Sequence, residues 1–592
     1  MSLSTFFKKL DFTKYTINPV RLKRLVLVLS LVVGLVSGLA AVVLKNTVFF
    51  THDLITHGFI FDDSNYLYLA FPFIGIVLTV LFAKYIIRDD IGHGISRILY
   101  AISRKQGRIE SHNMYSSMIG STLTVGFGGS VGLEAPIVLT GSSFGSYLGR
   151  LFRLNQKTVM ILIGAGATGA IAGIFNAPVA AVIFSLEVLM IDLTMGALIP
   201  LLIAAAAGAS VSYLLMGSGV LFSFDLVDGF YIKHLPYYIG LGLFTGFASL
   251  YFTRATIFIE GLFHKIKLKT TRVVIGGASL GLLIFLLPSL YGEGYEFLDL
   301  LINNKVDGLV NEDIISASSN TVQIIIFLGL IVLFKVVAMA VTNGSGGVGG
   351  IFAPSLFVGG VLGLLYARLI NLFATSSIPE KNMALVGMAG VMAGVMHAPL
   401  TGIFLIAEIT GGYELFTPLI ITATISYLTI MYFEPHSIYT KKLAARGELF
   451  THHKDKSVLQ MMNVVSHLET NFKTIDKESN LGELVKVIAN SERNIIPVID
   501  DENNFYGLVF VNDIRNIIFN QELYNKIQVA DIMYMPDPIV NINESMEDVA
   551  HKFQETSNYN LPVISDGKYL GFVSRARIFS TYQKLLREFS EE

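Results

Sequence analysis

Long blocks of apolar residues alternate with short polar breaks until about residue 445, where the pattern changes. "LVLVLSLVVGLVSGLAAVVL" (Leu25–Leu44), "YLYLAFPFIGIVLTVLFA" (Tyr66–Ala83), "VVIGGASLGLLIFLLPSLYG" (Val273–Gly292) and "VQIIIFLGLIVLFKVVAMAV" (Val322–Val341) carry almost no charge. A helix crosses the hydrocarbon core of a bilayer in about 20 residues, so each block predicts a spanning helix. The first block is too long and starts too late for a cleavable signal, and more blocks follow it. From about Glu448 the chain reads as water-soluble: "HHKDKS", "DKESN", "DDENN" and "SDGK" interrupt short aliphatic runs. Those runs alternate strand-like with helix-like periods, the pattern of an α/β domain.

Composition agrees with the pattern. Of 592 residues, 53% are hydrophobic and only 15% charged, with a mean hydropathy of +0.60. This is the balance of a polytopic membrane protein. Cysteine is absent, which excludes disulfides and thiolate chemistry. The net charge of −2 decides little, because orientation follows local Lys and Arg. "FFKKLDFTKY" and "RLKR" precede the first block, and "RKQGR", "RLFRLNQK" and "HKIKLKTTR" punctuate later ones. The first two predict a cytoplasmic N-terminus and the others mark candidate cytoplasmic loops. Residues 1–22 read as an amphipathic segment along the membrane surface or a frayed basic tail, and the C-terminus is expected in the cytoplasm as well.

The membrane part repeats itself. "FNAPVAAVIFSLE" (Phe175–Glu187) resembles "MHAPLTGIFLIAE" (Met396–Glu408), and "GLEAPIVLTGSSFGSYLGR" resembles "GIFAPSLFVGGVLGLLYAR" (Gly350–Arg368). Pro354 follows Pro136 by 218 positions and Pro399 follows Pro178 by 221. Two motifs recurring at nearly one offset predict structurally related halves that meet at a site made of broken helices. Glycine-rich starts followed by proline-containing helices expose unpaired N–H groups at the positive end of the helix dipole, a setting for an anion. Glu134 stands alone among glycines and aliphatic residues there. A carboxylate would compete with an anion for those donors, and protonation would end the competition. Glu134 is therefore expected to gate; capping a helix is the plainer alternative. Glu187 and Glu408 recur at matching positions, which suits a structural role at helix ends. Lys335, inside an apolar run, is expected to snorkel or to pair with a carboxylate.

The last part of the chain is also duplicated. "NIIPVIDDENNFYGLVFVNDI" (Asn494–Ile514) matches "YNLPVISDGKYLGFVSRARI" (Tyr559–Ile578), each a strand, a turn, a second strand and a helix start. "NLGELVKVIANSE" and "SMEDVAHKFQETS" precede them, both with a capping-box signal. The pair resembles CBS modules, regulatory domains that often bind adenine nucleotides. The family's ribose-binding Asp falls six residues after the strand glycine, which gives Asp513 in the first copy. In the second copy Arg577 stands there, so the resemblance implies at most one nucleotide site; a ligand-free dimerisation platform is the alternative.

The membrane part closely resembles the CLC family of chloride channels and proton-coupled chloride transporters. "GLEAP" (Gly132–Pro136) stands at the family's Gly-Arg-Glu-Gly-Pro segment and keeps the gating glutamate as Glu134. "GGIFAP" (Gly349–Pro354) is intact, so the resemblance implies that the amides of Ile351 and Phe352 face the anion. "SIYTKKLA" puts Tyr439 at the pore tyrosine. "GHGIS" (Gly92–Ser96) departs from Gly-Ser-Gly-Ile-Pro by His93 and Ser96, and His93 brings an N–H donor and a titratable charge. "GEGY" (Gly292–Tyr295) has a familiar look but no assigned role. Proton-coupled members carry an inner glutamate one residue after Glu187. Here Val188 stands there, which favours channel-like conduction, although Asp192 or water is a substitute relay.

The expectation is an all-α polytopic membrane domain of CLC type, with an inverted repeat and broken helices, followed by a cytoplasmic α/β CBS pair. Its parts are residues 1–22, the transport domain 23–445, a linker 446–460, and CBS modules 461–522 and 523–592. The function expected is passage of chloride or another small anion through a pore gated by Glu134 and regulated by the CBS pair. Proton-coupled antiport is the first alternative and a CBS-regulated carrier of another ion a remote one. An anchored enzyme is disfavoured: no HExxH, P-loop or nucleophile elbow occurs, and His452 and His453 fall in the linker. No metal or required cofactor is expected. The family implies a homodimer with one pore per subunit, in contact with lipid and not nucleic acid. A bacterial-type plasma (inner) membrane is the expected location.

Overall fold

The computed structural model describes residues 19–56, 66–92, 94–191, 194–217, 230–302, 321–373, 378–445, 459, 462–556 and 558–590. The chain divides into two compact units, Met1–Leu449 and Phe450–Glu592. Most of the expected segment 1–22 and of the linker 446–460, including His452 and His453, lies outside the described residues, as does Asp192.

In the first unit, nine helices among the described residues are long and apolar enough to cross a membrane. The block at Leu25–Leu44 lies within Pro19–Thr56, and that at Val322–Val341 within Thr321–Ser345. The block Tyr66–Ala83 forms Leu67–Leu81, which runs on into a π-helical turn, Phe82–Ile87. The block Val273–Gly292 is corrected. Its helix, Lys269–Leu286, stops short, and Pro288 opens a 3₁₀ turn, Pro288–Leu290. Proline has no N–H to continue the ladder and pushes the residue before it out of the helical region. Leu287 accordingly has φ −134° and ψ 82°. The chain then turns so that Gly292 N donates to Gly128 O at 3.2 Å.

The two halves repeat in three dimensions. Glu134–Leu151 packs on Gln156–Phe175, and Phe352–Phe373 packs on Glu380–Met396. Glycine sets both contacts. A Cβ on Gly141 would lie 2.2 Å from Gly166 O, and one on Gly359 would lie 2.5 Å from Gly387 O. Without side chains at the crossing the backbones touch, the usual way helices pack tightly in lipid. Gln156–Phe175 and Glu380–Met396 both end on a left-handed residue, Asn176 and His397, each with φ 56°. An Ala-Pro pair then starts the next helix, Pro178–Glu187 or Pro399–Ile409. Proline suits the first turn, where its missing N–H has no partner to lose.

The second unit is α/β. Strands β1 (Leu468–Glu469), β4 (Val540–Asn541), β5 (Asn560–Ser565) and β6 (Lys568–Ser574) form a sheet in the order β1-β6-β5-β4. Strands β2 (Ile495–Ile499) and β3 (Phe505–Phe510) form a hairpin. The duplication is visible in register: Val498 faces Gly507 and Val563 faces Gly571, and both hairpins slip immediately after that valine. The expected capping box forms at Asn480 and Glu483, while Ser545 accepts from Asp548 N at 3.1 Å. One expectation fails. After β6 a helix starts at Arg575, but after β3 residues 511–519 form successive turns. Asp513 N bonds Phe510 O and Ile517 N bonds Ile514 O, both spanning three residues. The polar side chains of Asn512, Asp513 and Asn516 favour such turns over a helix interior.

Candidate functional site

The starts of the two repeated halves are joined directly. Gly132 N donates to Gly350 O at 2.9 Å, and Gly350 N donates to Gly132 O at 2.7 Å. This two-bond bridge sets the N-terminus of Glu134–Leu151 beside that of Phe352–Phe373. Glycine is required at 132, because a Cβ there would lie 2.1 Å from Glu134 Oε2 and 2.9 Å from Ala353 Cβ.

Glu134 fills the space between the two helix starts and is only 1% exposed. Its Oε1 accepts from the Tyr295 hydroxyl at 2.9 Å, and its Oε2 accepts from Ala353 N at 3.4 Å. Ala353 belongs to the first turn of its helix, whose N–H groups have no intrahelical acceptor. The carboxylate thus sits on donors that suit an anion. A second carboxylate lies next to it. Glu293 Oε1 accepts from Leu133 N at 3.1 Å, one residue before Glu134. Lys335, fully buried, does not snorkel. Its Nζ donates to Gly292 O at 2.8 Å and Leu290 O at 3.3 Å, and lies 4.8 Å from the Phe357 ring centre. It reaches Glu293 only through space.

Behind the gate, Phe352 packs against Phe175 and Phe184, with ring centres 5.3 and 6.1 Å away. A cavity of about 40 Å³ is lined by Ser96, Glu260, Asn343, Ile351 and Tyr439, among others. That is room for a water-sized occupant. The Tyr439 hydroxyl is buried and has no hydrogen-bond partner among the described residues. A buried hydroxyl left unpaired costs about 1–3 kcal/mol, so it is poised to donate to something that enters. Ser96 Oγ donates to Tyr439 O at 3.1 Å and holds that segment in place. The structure therefore brings Glu134, Ile351, Phe352 and Tyr439 into one region. His93 lies outside the described residues.

Glu187 and Glu408 do what their matching positions suggest. Glu187 accepts from Leu400 N, Thr401 N and Thr401 Oγ1 at 3.1, 2.7 and 2.7 Å. Glu408 accepts from Val179 N and Ala180 N at 3.0 and 2.8 Å. Each caps the first turn of the other's helix. Val188, 4% exposed, closes its helix by donating from N to Phe184 O. In the second unit, Asp513 is exposed just beyond β3, and Arg577 is exposed at the matching place beyond β6. Tyr534, stacked on Phe510, lies near Asp513.

Three residues of the site escape a reading of the sequence. Tyr295 and Glu293 belong to a motif with no assigned role, and only the helix break at Pro288 brings them to Glu134. Glu260 is a single acid within the long helix Leu235–Lys265, and its apolar neighbours gave no hint that it faces the Tyr439 cavity.

A membrane unit of two bridged, duplicated halves with a carboxylate on facing helix starts defines a class, and comparison identifies it. The family model described as voltage gated chloride channel matches residues 75–430, and the CBS domain model matches 465–520 and 529–584. The chain belongs to the voltage-gated chloride channel (CLC) family and carries two CBS domains; it is an integral, multi-pass membrane protein. It is 29% identical over 385 residues to the putative chloride channel protein ClcB-like of Ralstonia nicotianae, which covers 64% of this chain and 85% of that relative. It is 28% identical over 421 residues to the H(+)/Cl(-) exchange transporter ClcA of Vibrio cholerae, over 67% of this chain and 84% of that one. Its fold matches a slow cyanobacterial Cl-/H+ antiporter with a TM-score of 0.62 at 24% identity, over 71% of this chain and 97% of that structure.

Proposed function

We propose that the chain carries chloride, or a similarly small anion, across a membrane in exchange for protons, with Glu134 as the gate. The observation that carries this reading is the position of the Glu134 carboxylate on Ala353 N–H and the Tyr295 hydroxyl. Ionised, it holds those donors by charge-assisted bonds. Protonated, it loses most of that hold, and the donors become available to an anion. Anion occupancy and the protonation of Glu134 therefore depend on each other, so this is the place where the two movements can be coupled. Tyr439 supplies a hydroxyl and Ile351 and Phe352 supply helix-start amides further in. Glu260, a buried carboxylate, lines the same cavity as Tyr439. A named exchange transporter among the relatives supports this reading.

Passive conduction is the second reading, and Val188 favours it: a buried aliphatic side chain stands where the family's exchangers place a relay. We further infer a homodimer in an inner (plasma) membrane with cytoplasmic termini, and an adenine nucleotide at Asp513 as a regulatory ligand.

The deciding experiment uses purified protein in chloride-loaded liposomes with external pH recorded as chloride runs down its gradient. Exchange requires protons to move against their own gradient in wild type and coupling to vanish in Glu134→Gln. Chloride efflux without proton movement selects the passive reading. Absence of any anion flux in wild type overturns both.

A further inference from the structure

We propose that Glu293 is a second gating carboxylate, which holds Leu133 N–H as Glu134 holds Ala353 N–H. The inference rests on the reading of Glu134 as a gate. Its basis is the pairing of acids with helix-start donors. Leu133 is the residue that opens Glu134–Leu151, and its N–H is taken by Glu293 Oε1 at 3.1 Å. Ala353 lies in the first turn of Phe352–Phe373, and its N–H is taken by Glu134. Each of the two bridged helices therefore presents a donor, and each donor is covered by a carboxylate. The two acids differ in access: Glu134 is buried, whereas Glu293 is half-buried.

The loop that carries Glu293 is firmly held. Gly292 N bonds Gly128 O at 3.2 Å, Gly292 O accepts from Lys335 Nζ at 2.8 Å, and Leu298 N bonds Gly294 O at 3.1 Å. Gly294 adopts φ 91°, and a Cβ there would meet Phe357 at 2.6 Å and Lys335 Nζ at 3.3 Å. The charged and titratable groups facing Glu293 come from three other parts of the chain. They are Glu134 at the repeat start, Lys45 from Pro19–Thr56 and Lys335 from Thr321–Ser345, with Tyr295 at the start of the following helix, Tyr295–Ile302. Glu187 and Glu408 also take helix-start N–H groups, but Glu293 differs from them in facing a second acid, Glu134, at the paired helix start. An acid there, under the influence of the Lys45 and Lys335 ammonium groups and beside a second acid, couples release of Leu133 N–H to a proton. Interacting acids of this kind titrate as a pair rather than independently.

The test measures initial anion efflux from liposomes against external pH, from about 5 to 8, the range over which a shifted carboxyl changes charge. Wild type, Glu134→Gln, Glu293→Gln and the double variant are compared. Expected are a wild-type response to external acid of about two protons, and a fall to about one in either single variant. In the double variant the dependence should vanish. At about pH 7.5, Glu293→Gln should pass anion at least about threefold faster than wild type, because one of the two plugs is gone. Glu134→Gln leaves residue 293 untouched, so a flat pH profile in that variant overturns the proposal even if Glu293→Gln does not fold. A Glu293→Gln profile that superimposes on wild type overturns it as well, leaving Glu293 a helix cap. If wild type shows no flux, or Glu134→Gln behaves as wild type, it is the reading of Glu134 that fails, and this inference falls with it.

Discussion

Glu134 and Phe352 hold equivalent places in the two halves of the membrane unit, 218 residues apart. Each starts a helix, and the glycines two residues before them hydrogen-bond each other. Yet one is an acid held by donors and the other an aromatic ring packed against Phe175 and Phe184. Glu187 and Glu408 form the opposite case. They are 221 residues apart, keep the same residue type, and cap each other's helices with near-equal distances. Symmetric positions here carry structure, and the position where the symmetry breaks carries the chemistry. Acids at both places would add a further charge to a buried space that already holds Glu134 beside Glu293; an apolar residue at both would leave Ala353 N–H without its carboxylate.

Phe352→Glu is the sharpest way to break that contrast. It makes the halves alike at the helix starts and buries a further carboxylate against the rings of Phe175 and Phe184. An uncompensated buried charge costs about 3–5 kcal/mol, so the variant should lose most of its thermal stability in detergent and all anion flux. Phe352→Leu keeps an apolar side chain and should retain the fold. Equal stability of the two variants would show that the second half does not need its apolar residue.

Gly166→Ala and Gly387→Ala probe the symmetric side with a smaller change. A Cβ at these places would lie 2.0 Å from Gly141 O and 2.4 Å from Gly359 O, so the paired helices must part. Overpacking of this kind costs about 1–3 kcal/mol, and both variants should lower the melting temperature by similar amounts. A large loss in one and none in the other would mean that the halves are alike in backbone path only.

Much of this was legible in the chain because duplication needs no structure to be seen. The two proline motifs gave the halves, and their shared glutamates pointed to helix ends. Glu134 stood out because no soluble core would place a lone acid among glycines. Tyr295 was not legible as its partner. The two are 161 residues apart, and their meeting depends on a helix that stops at Leu286 inside a continuous apolar run. Hydrophobicity reports where a segment is buried, and it does not report where the segment bends. Glu260 was hidden for a related reason, since one acid on a long helix does not reveal which face lines a cavity. In the soluble unit, aliphatic spacing gave the hairpins and their capped helices. It did not show that Asn512, Asp513 and Asn516 would turn the first copy away from a helix after β3.

Glu187→Ala and Glu408→Ala give the smallest expected effect and the most direct measure of symmetry. Each removes a carboxylate that takes two backbone N–H groups at a helix start. Loss of such a cap costs about 1–2 kcal/mol. Glu187 also accepts from the Thr401 hydroxyl, a bond that Glu408 lacks, since the equivalent residue in the first half is Ala180. The loss at 187 should therefore exceed that at 408 by about 0.5–1.5 kcal/mol, the worth of one net hydrogen bond. Thr401→Ala in the Glu187→Ala background should then cost nothing further, while in wild type it should cost about that difference. Neither cap touches an anion-facing donor, so proton coupling per anion should stay at the wild-type value in both variants. A change in coupling in either would place the glutamate on the proton route, and the rule that symmetric positions carry only structure would fail at that residue.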